Sequence, residues 1–224
     1  MTEGVTSRGW LRPGGPLRTS QGAAIAGIVF GVFLITALVL LRLSVPARPE
    51  AAGTWLADSR RRTAVAVALN LIPFAGIAFL WFIGVLRARI GEREDRLFAT
   101  VFLGSGLLFV GMLFVAAAVA GATIAAASAQ PGPASLALSR NLTGSLLNVY
   151  AMRMAAVFTL TTVNIARRTA IVSRWLVLAG LACALILLVG TGISPWVELL
   201  FPAWILALSL DVLISAPPPS EARP

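Results

Sequence analysis

The chain has 224 residues, of which 58% are hydrophobic and 12% charged, with a formal net charge of +9. Soluble domains hold about 45–50% apolar and about 25% charged residues, so this composition excludes an ordinary soluble globule and predicts one membrane-embedded domain. Every basic residue is Arg, there is no His, and Cys183 is the sole Cys, which excludes imidazole acid–base work, Schiff-base chemistry on Lys, a Cys metal cluster and an intrachain disulfide.

Residues 1–21 are polar, rich in Gly and Pro, and carry Arg8, Arg12 and Arg18. They read as a flexible cytoplasmic tail. The apolar run 22–43 follows and predicts the first span; it is longer than the roughly 7–15 residues of a signal-peptide core, so an uncleaved helix is expected. Within it GIVFG, Gly27 to Gly31, is a GxxxG that lets a neighbouring helix approach closely.

Span two is expected over 63–86. It holds Pro73, which frees the carbonyl of Leu69, and Asn70, whose side chain is expected to satisfy that carbonyl or to mark a hinge. The charged turn RARIGEREDR, 87–96, mixes signs and reads as a solvated cytoplasmic loop, with partner docking as the other reading. Span three, 97–122, carries Gly104, Gly106, Gly111, Ala118 and Gly121, a pattern of tight packing with homo-oligomer contact as the minority option. The run LNLIPFAGIAFLWFIGVLRARIGEREDRLFATVFLGSGLLFV, 69–110, resembles a block found in uncharacterised bacterial multi-pass membrane proteins. It covers about a fifth of the chain. The resemblance implies the membrane class and carries no activity.

Span four, 142–166, contains the most unusual stretch, NVYAMRMAAVFTLTTVN. It sets Arg153 near the midplane, about 15 Å from either boundary of a 30 Å hydrocarbon core. A central Arg costs about 2.5–3.5 kcal/mol on insertion scales. At about 100° per residue, Arg153, Asn164, Tyr150, Thr143 and Thr161 share one face under a quarter-turn wide. That face reads as an internal polar clamp or as the lining of a path for an ion or anionic solute, the clamp being preferred. Span five is expected over 175–193, where Cys183 in GLACALIL reads as a packing residue, and span six over 196–215, opened by Pro195. Glu198 and Asp211 are the acids of the spans. On a 1.5 Å rise Asp211 lies about 8 Å and Glu198 about 11 Å from the midplane, so Asp211 is the expected partner of Arg153. Residues 216–224 read as a short disordered tail.

The expected fold is thus all-α, a polytopic bundle of six transmembrane helices in the inner membrane of a bacterium, the origin suggested by abundant Ala, Gly, Arg and Pro without Lys. With the N-terminus inside, the inner segments hold eleven Arg and the outer loops six, which places both termini in the cytoplasm although the SRRR run at 59–62 falls outside. The basic residues mark topology, not nucleic acid. The interrupted stretches LIPFAGIAFLW and LFPAWILAL do not occupy corresponding positions in two halves, against an internal-repeat transporter. No cofactor, metal or enzymatic activity is expected. The preferred function is a non-enzymatic accessory or structural membrane component, partnered by the bilayer and by another membrane protein or a second copy. The alternative is a small channel or transporter lined by Arg153, Tyr150, Thr161 and Asn164.

Overall fold

A computed structural model of the chain describes residues 16–45, 54–90, 96–126, 132–169, 173–190, 194 and 196–214. Among the described residues the regular structure is entirely helical. Five helical stretches are long and apolar enough to cross a membrane: Gln21–Ser44, Ser59–Arg87, Leu97–Ala125, Pro133–Arg167 and Val197–Ile214. A shorter apolar helix covers Arg174–Val189. The expected tail at 216–224, the acidic part of the 87–96 turn and Pro195 lie outside the described residues.

Helix α1 (Pro16–Ser44) begins six residues earlier than the expected span, with Pro16 in the first position, where its missing N–H costs nothing. After the single turn α2 (Thr54–Ala57) comes α3 (Ser59–Ile90). Its first turn holds three Arg, which oppose the positive helix N-terminus. Asp58 offsets this: Oδ1 accepts from the backbone N–H groups of Arg60 (2.9 Å) and Arg61 (3.4 Å), and Oδ2 pairs with Arg61 Nε at 3.4 Å. Helix α3 continues through Pro73.

Helix α4 (Arg96–Ala125) returns to the Arg42 end of the bundle. The fourth long stretch is α5 (Pro133–Gly144), a π-helical turn (Ser145–Ala151) and α6 (Met152–Thr169) in series. At the end of the wide turn Met152 N–H bonds the carbonyl of Leu147, five residues back. None of the α5 residues is buried. Helix α7 (Arg174–Val189) and α8 (Leu200–Ile214), the latter entered through a 3₁₀ turn at Val197–Leu199, complete the bundle.

The centre is aromatic. Phe30 of α1, Phe79 of α3, Phe109 of α4, Phe158 of α6 and Phe201 of α8 are all fully buried. Their rings meet at centroid distances of 4.5 Å for Phe30–Phe79, 5.3 Å for Phe79–Phe109, 5.0 Å for Phe79–Phe158 and 4.9 Å for Phe109–Phe201. Tilted and edge-on ring contacts of this kind add about 0.5–1.5 kcal/mol each beyond area burial. The small residues let the helices close around these rings. A Cβ on Gly31 would stand 2.9 Å from Leu206 Cβ and 3.1 Å from the Pro202 carbonyl oxygen, and one on Gly27 would run into Ser209. The GxxxG of α1 therefore faces α8 within the chain.

Candidate binding site

Two polar layers cap the aromatic centre. At one end Asp211 of α8 reaches the start of α7, where Ser173 N–H donates to Asp211 Oδ2 at 3.4 Å. Ser173 is the N-cap of α7 and makes no side-chain cap of its own, so the carboxylate from the neighbouring helix serves one orphan N–H, that of Ser173, and the positive dipole end.

At the other end three helices contribute to one cluster. Arg42 stands in the last turn of α1, and Glu198 in the 3₁₀ turn that opens α8. The two form an ion pair through Arg42 Nη2. Asn148, in the π-helical turn, accepts from the same Nη2 with its Oδ1 at 3.2 Å. Each charge suits its helix end, the cation at a C-terminus and the anion in a first turn. Burial is unequal: the Arg42 side chain is 31% exposed and that of Glu198 4%. Glu198 Oε2 has no hydrogen-bond partner among the described residues.

Beside this cluster lies a cavity of about 780 Å³, bounded by α1, α3, α4, α5 and the π turn, within the size range of small-molecule sites. Leu38, Ile72 and Leu113 form its wall on the core side. Ala116, Ala117 and Ala120 of α4 line one flank; Arg42, Asn148, Thr143 and Arg140 bring the polar groups, and half-exposed Trp196 completes the rim. Near it the hydroxyls of Thr123 and Ser139 bond to each other, tying α4 to α5.

The residues singled out from sequence fall in different places. Arg153 and Asp211 are not brought together: Arg153 is exposed on α6 and has no hydrogen bond or ion pair among the described residues, whereas Asp211 is engaged at α7. Tyr150 is 56% exposed on the same outer face as Arg153. Thr161 is buried and donates to its own helix, to the Phe158 carbonyl at 2.8 Å and the Val157 carbonyl at 3.1 Å. Asn164 is half-buried. The expected polar stripe is therefore split between the outside and the interior of the bundle. Arg153 and Thr161 stand about 80° apart round the regular helix α6, enough to set one outside and the other inside, while the π turn separately changes the phase between Thr143 and Arg153. Asn70 is exposed and its Nδ2 donates to the Ala66 carbonyl at 2.8 Å, three residues before the Leu69 carbonyl that Pro73 frees, so it does not serve that carbonyl.

The pair that does form joins Glu198 to Arg42, one of the six arginines that the topology count assigns to outer loops. The signal was present: both sit at one depth under the same alternation of spans, each in the terminal turn that suits its sign. Comparison of the chain with family models, with curated proteins and with solved structures finds no match.

Proposed function

We propose that this chain is a multi-pass protein of a bacterial cell membrane, crossing six times with both termini in the cytoplasm. In this reading α7 is the fifth span, since it connects the Asp211 layer to the Glu198 layer although it has only 16 residues. The Arg42 end then faces away from the cytoplasm. The protein acts as a non-enzymatic accessory component, by contact and binding. It is not a conduit.

One observation carries this reading: the fully buried Phe cluster occupies the middle of the bundle where a path would have to run. The transport alternative also loses its lining, because Tyr150 and Arg153 face outward and the Thr161 hydroxyl bonds within its own helix. Large apolar side chains on the outside, including Phe74, Trp81, Leu107 and Leu185, suit lipid or a membrane partner. The charged 87–96 turn offers a cytoplasmic contact.

The test is extraction of the tagged protein from its native membrane in mild detergent, followed by mass and subunit analysis. A stoichiometric second membrane subunit is the expected result. The opposing result is a homo-oligomer alone that gives proteoliposomes a solute flux above that of protein-free vesicles.

A further inference from the structure

We infer that the cavity between α1, α3, α4 and α5 is a binding site for an anionic amphiphile, a hydrocarbon chain bearing a phosphate or carboxylate head. The head is held by Arg42, and the chain lies against the leucine and alanine walls. This goes beyond the accessory role proposed above and does not depend on any partner subunit.

Three observations carry it. The first is the unused capacity of Arg42. Its guanidinium has five N–H donors, yet Glu198 and Asn148 both bond the single atom Nη2. Nε and Nη1 have no partner among the described residues, and the side chain lines the cavity at 31% exposure. Donors left unmet in an apolar setting are costly, and an oxyanion satisfies them with charge-assisted bonds.

The second is charge balance. The cation at the polar corner of the cavity is Arg42, and the lining includes no acidic residue. Glu198 lies behind Arg42, outside the lining. A cationic or neutral head would meet this wall with like charge or with no counter-charge.

The third is the distribution of polarity. A bare inorganic anion would engage the Arg42 and Asn148 corner and leave the rest of the cavity, with Leu38, Ile72, Leu113 and the three alanines, facing water. Water against such a wall is unfavourable; a hydrocarbon chain is the complement. The flanking structure is built to leave this space open. Helix α5 buries none of its residues, and the π turn, a form frequent at functional sites, swings Asn148 toward Arg42.

The experiment is native mass spectrometry of the full-length protein in a nonionic detergent, titrated with dodecyl phosphate, with dodecyltrimethylammonium, and with inorganic phosphate alone. Dodecyl phosphate is expected to give a saturable one-to-one adduct at least tenfold tighter than either of the others. Ala120→Trp, which fills the cavity from the α4 flank, is expected to weaken that adduct at least tenfold. Arg42→Gln with Glu198→Gln, which removes both charges together and so leaves no buried ion alone, is expected to abolish the preference for phosphate over ammonium. Equal adducts with the two chain-bearing probes overturn the proposal. So does binding of inorganic phosphate as tight as that of dodecyl phosphate, which would make the site one for a free anion. The first comparison needs only the unaltered protein and decides the matter even if a variant does not fold.

Discussion

Two arginines near the Asn148 layer carry opposite energetic roles. Arg42 is held by Glu198 and Asn148, and its removal leaves a carboxylate that is 4% exposed without its counter-charge. Breaking a buried pair from one side costs about 3–5 kcal/mol; with Arg42 partly exposed the lower end applies, so Arg42→Leu is expected to cost about 3 kcal/mol. The double change with Glu198→Leu is expected to cost less than the two single changes summed, since an apolar pair of similar volume needs no partner. Unfolding titrated with SDS in mixed micelles measures all three, and additivity would show that the pair contributes no coupling. Arg153 is five residues beyond Asn148, about 7 Å farther along the axis. Its side chain leans toward the helix N-terminus, back to that same layer, so the guanidinium can snorkel to the headgroups with Tyr150 beside it. Arg153→Leu is accordingly expected to change stability by no more than about 0.5 kcal/mol, the range of surface positions. A loss as large as that of Arg42→Leu would mean that Arg153 has a buried partner.

At the scale of elements, lipid supplies no hydrophobic drive between helices, so α1 and α8 associate through close packing. Gly31 is the tightest point against immovable atoms, because its neighbours are the Pro202 carbonyl and Leu206 Cβ. Gly31→Ala is expected to destabilise by about 1–3 kcal/mol, the cost of overpacking a well-filled contact. Gly104→Ala, with nothing within 4 Å of the added methyl, is the control and should be neutral or slightly stabilising, as Ala is the better helix former. Equal effects in the same unfolding assay would argue against the α1–α8 contact. The long fourth stretch teaches a different lesson: one wide turn divides it into an outer arm that buries nothing and an inner helix that packs on α4 and α7. Its two halves obey different wheels.

For the molecule as a whole, the phenylalanine cluster is both the keystone and the barrier. Phe79 touches rings from α1, α4, α6 and α8, so Phe79→Ala opens a void that no single helix can collapse into. Its cost is expected near 3 kcal/mol, the lower end for Phe→Ala, since the reference state is lipid and only part of the transfer term applies. If the cluster is what closes the bundle, this variant is also the one expected to leak small solutes in proteoliposomes while the unaltered protein stays tight. A leak of equal size in both would remove the argument against conduction.

Properties that depend on composition and on sums along the chain are legible before any folding is considered. Length of apolar runs, depletion of charge and absence of His and Lys make an apolar, helical chain, because a backbone in lipid must satisfy its own hydrogen bonds. The run of Gly27 and Gly31 was legible as a close-packing face, though not which helix would lie on it. The pairings, by contrast, come from how the helices meet in three dimensions. Depth arithmetic favours Asp211 over Glu198 for Arg153 by a few ångströms, but pairing is settled by azimuth as well as depth, and Arg153 lies on the exposed side of α6 while Asp211 reaches Ser173. Arg42 looked like one loop charge among several until α8 brought Glu198 beneath it. The cavity likewise belongs to no segment: it is the space enclosed by α1, α3, α4 and α5, where α5 packs on α4 without burying a side chain, and no pattern along one segment encodes a gap between four helices.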